Sequence, residues 1–252
     1  MADDLLGRLD LVSRRFEQVL DLGCGDGRLG RALAARGMAV TSMDAGTRFA
    51  VAAGGVQADE DRPPFADGSF DLIVSAGVLD QVNDLPGALT LIRRALRPDG
   101  LFLGAFLGGS TLTTLKRAFR TAEAERPAPR VHPMVELRSA GDLLMRAGFT
   151  LPVADVETLT VRYAGIGRLL DDLRGMGASN LLRGRSALTR ATLARAAEAF
   201  AAAADPDGRV PERFDILFVT GWSPSPDQPK PAARGSGTTS LADALRRFPK
   251  PD

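Results

Sequence analysis

Acidic residues and glycines alternate in one short stretch of the sequence, Asp21-Leu22-Gly23-Cys24-Gly25-Asp26-Gly27. Glycine has no Cβ, so the main chain can turn sharply here and a ligand can approach it closely. The following residues, Arg28 to Arg36, have apolar side chains at helical spacing, and the start of a helix offers unpaired N–H groups to an anion. The stretch therefore predicts a turn that binds a ligand with a carboxylate, an ammonium group or both.

Two classes of cofactor fit the spacing of these glycines. The residues from Gly25 to Gly30 match G-x-G-x-x-G, the pattern of dinucleotide-binding turns, which would indicate a nicotinamide-dependent dehydrogenase. However, Asp21 precedes the first glycine and Asp26 lies inside the turn, where a carboxylate would repel a pyrophosphate and attract an ammonium group. S-adenosylmethionine has an ammonium, a carboxylate and a sulfonium group, so it complements the turn better.

Further polar residues follow the neighbouring predicted strands. Asp44 lies 21 residues after Gly23, at the end of the second strand, where a carboxylate can accept hydrogen bonds from ribose hydroxyls. Asp59 follows the third strand and can meet the adenine amino group, and Ser75 ends the fourth strand. Taken alone, Asp44 or Asp59 is as typical of a solvated acid in a turn as of a residue that contacts a cofactor. Together, these residues predict a cofactor site, comprising Asp21, Gly23, Gly25, Gly27, Asp44, Asp59 and Ser75.

Short apolar runs alternate with helical patterns, which favours a doubly wound α/β sheet. The predicted strands are Gln18–Leu22, Met38–Met43, Val56–Ala58, Phe70–Ser75, Leu101–Phe106, a segment near Phe149–Val156, and Phe214–Val219. The Ala- and Arg-rich stretch from Arg162 to Ala204 predicts helices between the last two of these strands. One domain over residues 1–222 is expected. From Ser223 onward Pro, Gly, Ser and Thr dominate. This composition predicts an extended or mobile tail over residues 223–252, with one short helix at Leu241–Arg247.

Composition excludes several classes of function. Cys24 is the only cysteine and His132 the only histidine among 252 residues, so a zinc cluster of thiolates or a site with two imidazoles is not expected from one chain. The net charge of +1 and the scarcity of Trp and Tyr give no platform for nucleic acid. No apolar run reaches the ~18 residues of a membrane span. We therefore expect a cytoplasmic protein without a metal site.

Longer segments carry a resemblance to known families. About residues 18–106 resemble the class I, type 11 methyltransferases that depend on S-adenosylmethionine, through VLDLGCGDG, MDAG, ADEDRPPFADGSFDLIVSAGVLDQVNDLPGAL and LRPDGLFLGAF. The later segments FLGGSTL, HPMVELRSAGDLLMRAGF, DLRGMGASN, VTGW and KPAARGS resemble bacterial relatives of mitochondrial complex I assembly factor 5, an arginine hydroxylase family. Malonyl carrier-protein methyltransferases are similar in the cofactor half. The resemblance implies a Rossmann-like, doubly wound, seven-stranded methyltransferase sheet. It also implies that the last two strands are an antiparallel pair, with the stretch from Arg162 to Ala204 as a helical insertion between them.

The resemblance also carries expectations about function. It implies S-adenosylmethionine as cofactor and methyl transfer to a protein substrate, with a respiratory quinone-reductase subunit as one candidate partner. The alternatives are an assembly factor that hydroxylates an arginine or acts as a chaperone, and an O-methyltransferase of the malonyl carrier protein. Where the family often has an aromatic or His-Trp pair after the fourth strand, this chain has Asp80-Gln81, so a contact to cofactor or substrate is expected to be missing. We expect the stretch from Asp171 to Asn180 to border the substrate pocket.

Overall fold

A computed structural model describes residues 1–182, 184–228 and 240 of the chain. Seven strands form one sheet in the order β3-β2-β1-β4-β5-β7-β6. Strands β1 to β5 are parallel to one another, and β7 is antiparallel to both β5 and β6. The strands are β1 (Gln18–Leu22), β2 (Ala39–Asp44), β3 (Val56–Gln57), β4 (Phe70–Ala76), β5 (Leu96–Gly108), β6 (Thr150–Tyr163) and β7 (Val210–Trp222).

Eight helices in the described residues connect or precede these strands. They are α1 (Ala2–Asp10), α2 (Arg28–Ala35), α3 (Thr47–Ala52), α4 (Leu85–Ala95), α5 (Thr113–Ala122), α6 (Leu137–Arg146), α7 (Ile166–Gly175) and α8 (Arg190–Ala201). Asp84 begins α4 as a cap, because its carboxylate accepts the N–H of Gly87 at 3.0 Å. The predicted alternation of strands and helices is confirmed.

The helices bury apolar side chains on both faces of the sheet. One core contains Leu33 of α2, Leu115 of α5 and Leu169 of α7, packed with β-strand residues such as Leu101. The other contains Ile92 of α4 and Leu144 of α6. Because both faces are covered, every residue of β4 from Phe70 to Ser75 is buried. This burial accounts for the almost continuous apolar run in the sequence of β4. The fold is the predicted doubly wound sheet.

The last two strands are longer than the sequence patterns predict. They pair without interruption from Val153 opposite Thr220 to Tyr163 opposite Val210, and α7 and α8 lie between them in the chain. The expected antiparallel pair with helices between its strands is confirmed. The expected helical start at Arg162 is wrong, because Arg162 and Tyr163 still pair with β7. Residues 176–189 lie between the two helices and form neither helix nor strand in their described part.

Similarly, β5 begins at Leu96 rather than Leu101, because Leu96 already pairs with Phe70 before the sheet register shifts.

Within the described residues, no helix is both long and apolar enough to cross a lipid bilayer. Most of the predicted C-terminal tail, including the predicted helix at Leu241–Arg247, lies outside the described residues.

Candidate cofactor and acceptor site

The glycine turn connects β1 to α2 and is fixed to the neighbouring strand. The N–H groups of Gly23 and Cys24 both donate to the carbonyl oxygen of Met43, at 2.8 and 2.9 Å. Gly23 and Gly27 have φ of 71° and 73°, in the left-handed region that favours glycine. A Cβ on Gly23 would lie 2.4 Å from Cγ1 of Val78, so the turn also packs closely against the loop after β4.

Asp44 holds the turn by its side chain. Its Oδ2 accepts the N–H of Gly25 at 2.9 Å, and its Oδ1 accepts the N–H of Gly46 at 2.7 Å. The structure therefore brings Asp44 to the glycine turn, as the sequence predicts. The ribose contact predicted for Asp44 stays a prediction.

Two buried polar groups at this end of the sheet have atoms without a partner. Asp21 is 1% exposed and Ser75 is fully buried, and neither Oδ2 of Asp21 nor Oγ of Ser75 has a hydrogen-bond partner. The two residues lie on adjacent strands, because Asp21 of β1 is opposite Val74 of β4. Buried polar atoms are rarely left unpaired, so both atoms indicate a ligand that brings hydrogen-bonding groups.

Burial raises the pKa of Asp21 to about 6, although the backbone N–H of Gly30 opposes the shift. The charges of Asp44 and Asp26 raise this pKa further. Such a carboxylate gains from a positively charged ligand, because an ammonium group would offset both the desolvation and the repulsion. The residues present therefore fit the ammonium end of S-adenosylmethionine.

The remaining acidic residues of the prediction have different positions. Asp26 is exposed and accepts the N–H of Arg28, the first residue of α2, at 3.0 Å. Asp59 is also exposed, and its predicted adenine contact stays a prediction. Glu60, which the sequence analysis missed, is buried beside it, and burial raises the pKa of Glu60, with a further contribution from Asp44. Its position directly after Asp59 is the signal that could have indicated it.

All of these residues lie at the carboxyl ends of parallel strands. The chain order reverses between β1 and β4, since β2 and β3 extend the sheet on one side and β5 on the other. A crevice at such a reversal is where open α/β sheets bind their ligands.

A cavity of about 320 Å³ adjoins this end of β4 and β5. Its walls are largely apolar, and they come from β5, α5 and α7, including Leu107, Leu115, Phe119, Leu170 and Leu173. Asp80 and Gln81 of the loop after β4 also line it. Because Val78 of the same loop packs against Gly23, this loop borders both the cavity and the glycine turn.

The cavity is bordered by two irregular segments that hydrogen-bond to each other. We call the described residues of these segments, 126–133, 176–182 and 184–189, the roof. Asn180 donates to the carbonyl oxygen of Pro129 at 2.9 Å, Nε2 of His132 accepts the N–H of Leu181 at 3.1 Å, and Nη1 of Arg130 donates to the carbonyl oxygen of Ser186 at 2.7 Å. Four residues of the glycine-punctuated stretch from Asp171 to Asn180 line the cavity, namely Arg174, Ala178, Ser179 and Asn180. That this stretch borders the substrate pocket stays a prediction.

Asp80 is an acidic residue that the sequence analysis undervalued. The Asp80-Gln81 pair predicts a missing contact, whereas the structure places Asp80 at the cavity wall as a partly buried residue with one fully buried carboxylate oxygen, Oδ1. Oδ1 of Asp80 has no hydrogen-bond partner, and burial raises the pKa of Asp80 to about 6. No sequence pattern distinguishes this carboxylate from a solvated loop acid, because its burial depends on β5 and the roof.

Other candidate groups do not form a reactive centre. Cys24 is buried, and its pKa is raised to about 11, so its thiol stays protonated near neutral pH. Nε2 of His132 is occupied by the N–H of Leu181. In the described part of the chain, no cluster of three or more His, Cys, Asp or Glu side chains has the geometry of a metal site.

Residues 2–152 match a family described as "Methyltransferase domain". The match covers more than half of the chain and includes the whole glycine turn. The chain belongs to the class I methyltransferases that depend on S-adenosylmethionine, and its cofactor is S-adenosylmethionine.

Particular relatives support a connection to two kinds of enzyme. The chain is 37% identical to "Arginine-hydroxylase NDUFAF5, mitochondrial" of Danio rerio, over 92% of this chain and 76% of that protein. The human protein of that name is also 37% identical, over 92% of this chain and 71% of that protein. A "Malonyl-[acyl-carrier protein] O-methyltransferase" of Methylovorus sp. is 32% identical, over 87% of this chain and 80% of that enzyme.

Solved structures share the fold. The YcgJ protein of Bacillus subtilis superposes with a TM-score of 0.63 at 16% identity, covering 89% of this chain and all of that one. Phosphoethanolamine N-methyltransferase 2 of Haemonchus contortus, solved with S-adenosyl-L-methionine, gives a TM-score of 0.54 at 18% identity, covering 88% of this chain and 53% of that one. These likenesses confirm the predicted Rossmann-like methyltransferase fold.

Proposed function

We propose that this enzyme transfers the methyl group of S-adenosylmethionine to a side chain of a protein substrate that enters the cavity beside Asp80. The observation that carries the proposal is the position of this cavity, which adjoins the glycine turn across the single loop that contains Val78 and Asp80. Binding pockets are typically concave and mostly apolar with a few polar groups, and this cavity has the same character.

The residues at the glycine turn would hold the cofactor. Asp21 and Ser75 would engage its methionine end, Asp44 its ribose, and Asp59 or Glu60 its adenine. The backbone of Gly23, Gly25 and Gly27 would lie against it. S-adenosylmethionine supplies an electrophilic methyl group on its sulfonium when it is bound.

The cavity residues would bring the acceptor atom into line with that methyl group. Positioning of this kind accounts for a large part of the rate of a two-substrate reaction. Apolar walls from Leu107, Leu115 and Phe119 would exclude water from the reacting atoms. The roof would close over the substrate side chain.

A protein acceptor is supported by the relatives. The relatives from Danio rerio and Homo sapiens are named as arginine hydroxylases, and their likeness extends over nearly the whole chain, including the insertion between β6 and β7. We infer that a respiratory quinone-reductase subunit is one candidate partner. A single buried cysteine suits a reducing compartment, so we propose the cytoplasm as the location.

The first experiment titrates the purified protein with S-adenosylmethionine, its demethylated product and NADH by calorimetry. The cofactor site is supported if S-adenosylmethionine and its demethylated product bind to the wild-type protein, bind more weakly to Asp21→Asn and bind unchanged to Asp142→Asn. Asp142 is a matched control because it is an exposed acid on α6. Binding of NADH alone would contradict the proposal.

The second experiment supplies methyl-labelled S-adenosylmethionine and an extract from cells that lack the gene. Label in a protein that requires the wild-type enzyme would support protein methylation, and mass spectrometry of that protein would locate the modified side chain. Label in a carrier-protein thioester would instead favour O-methylation of the kind that the Methylovorus relative is named for.

Hydroxylation is the second candidate function, favoured by the 37% identity to the arginine hydroxylases. It requires molecular oxygen and two electrons from a reductant. A substrate protein that gains the mass of one oxygen atom, without label from S-adenosylmethionine, would establish it. A stable complex with a partner and no mass change in either would favour a chaperone role.

A further inference from the structure

The carboxylate of Asp80 is unusual among the groups around the cavity, because it combines burial with an unused acceptor. Its Oδ1 is inaccessible to solvent and has no hydrogen-bond partner. The backbone N–H groups of Asp80 and Leu107 stabilise the carboxylate and offset part of the cost of burial. Asp80 lies at the cavity wall.

The arginines that line the same cavity are bound to other groups. Arg130 forms a buried ion pair with Glu123. Arg174 pairs with Asp171 at 2.6 Å, and Arg185 donates to the carbonyl oxygen of Asn180. In the described part of the chain, therefore, no cationic side chain pairs with Asp80. An ionised carboxylate that is buried without a cation carries a large desolvation cost, which a charged ligand can offset.

The shape of the cavity adds a second requirement. Leucines and Phe119 surround most of it, so the ligand must bring apolar surface along its length. A group that combines an aliphatic stem with a cationic, hydrogen-bond-donating end satisfies both conditions. Lysine and arginine side chains have this combination.

We propose that Asp80 is a specificity-determining residue that binds a cationic side chain, an ammonium or guanidinium on an aliphatic stem, and disfavours neutral and anionic side chains. For methyl transfer the bound nitrogen first loses one proton, to Asp80 and then to solvent, because only its lone pair can form the new bond to the methyl carbon as the bond from that carbon to the sulfonium breaks. This inference rests on the proposed function, since it assigns the substrate class of the same cavity. It also separates the proposed protein substrate from a malonyl thioester, whose free carboxylate Asp80 would repel.

The test measures binding of short capped peptides, acetyl-Gly-Ala-X-Ala-Gly-amide, to the protein saturated with demethylated cofactor. X is arginine, lysine, citrulline or norleucine, so that citrulline is the neutral counterpart of arginine and norleucine that of lysine. A charge-assisted hydrogen bond to Asp80 predicts that the arginine or lysine peptide binds about ten- to a hundredfold more tightly than its neutral counterpart. Asp80→Asn should abolish this preference, and Asp142→Asn should preserve it.

A measurement on the wild-type protein complements the variant. The pKa of Asp80, followed by carbon NMR of labelled carboxylates, should fall when the cationic peptide binds and stay unchanged with norleucine. Equal binding of charged and neutral peptides, a preference that persists in Asp80→Asn, or no binding of any peptide would each overturn the proposal.

The calorimetry described above separates this inference from the proposed function. If S-adenosylmethionine binds and the peptides show no charge preference, the cofactor site stands and the role of Asp80 fails. If the cofactor does not bind while the cationic peptides do, Asp80 selects its ligand as proposed, and the assignment of methyl transfer fails.

Discussion

A single buried carboxylate, Asp21, connects stability to cofactor binding. Its pKa is raised to about 6 from an ordinary value of 3.8, so the free protein is destabilised by its ionisation. The cost begins as the pH rises above about 4 and is complete above about 6, where it amounts to about 3 kcal/mol. A cationic ligand offsets this cost when it binds.

Asp21→Asn should therefore stabilise the free protein and weaken cofactor binding. We expect its free energy of unfolding at neutral pH to increase by up to about 3 kcal/mol, with the difference disappearing near pH 4. Urea denaturation at both pH values measures the first effect, and calorimetry with S-adenosylmethionine measures the second. A variant that is destabilised at neutral pH would show that Asp21 has a structural partner instead.

Cofactor affinity should also depend on pH in wild-type protein. Because the ammonium group is attracted by the ionised form of Asp21, the affinity for S-adenosylmethionine should fall by about tenfold for each pH unit below about 6. Titrations from neutral pH to about pH 5 would measure this slope. Asp142→Asn should give the same profile, whereas a flat profile in the wild type would contradict the role of Asp21.

At the scale of elements, the contact between the glycine turn and the loop after β4 can be tested by a substitution that adds one methyl group to Gly23. In Gly23→Ala the added Cβ would overlap Val78 in addition to straining a positive φ. We expect a loss of about 2 to 4 kcal/mol in the free energy of unfolding. Gly54→Ala is the control, because Gly54 has φ of 62° and no atom within 4 Å of the added Cβ. Equal losses in both would rule out the predicted overlap.

The roof provides a second test of an element. Burial lowers the pKa of His132 below its ordinary 6.5, so its hydrogen bond from Leu181 is present above pH 6.5 and is lost as the pH falls through the lowered pKa. The protection of the Leu181 amide from hydrogen exchange should then decrease in acid. The amide of Thr192, which donates to Thr189 Oγ1, is a control because its acceptor does not titrate. His132→Phe should remove the pH dependence at Leu181.

At the scale of the whole molecule, both cores share one sheet. Leu101 and Phe102 are neighbours on β5, yet they belong to opposite cores. We therefore expect the described body to unfold in a single cooperative transition. Cofactor at about 100 times its Kd should raise the midpoint by roughly 5 to 10 °C, because it binds the folded state alone. Scanning calorimetry checks this, and two resolved transitions would contradict it.

The sequence alone determined the order of strands and helices in the first half of the chain and the location of the cofactor turn. These features depend on local rules. Apolar runs with the period of a strand or helix predict β1 and α2, and the glycines between them need positive φ or close approach. For the same reason Asp44 could be predicted, since a residue that ends a strand next to β1 in a parallel sheet lies at the same edge as the turn.

The tertiary structure decided what depends on distant residues. The lengths of β6 and β7 follow from pairing with each other. Because β6 is exposed from Glu157 to Arg162, no buried apolar run marks where it ends. Asp59 and Glu60 are adjacent acids in the sequence, and only packing makes one exposed and the other buried. Packing likewise decides the environment of Asp80. Its burial and its place at a cavity come from β5, α5, α7 and the roof, which no local pattern around residue 80 contains.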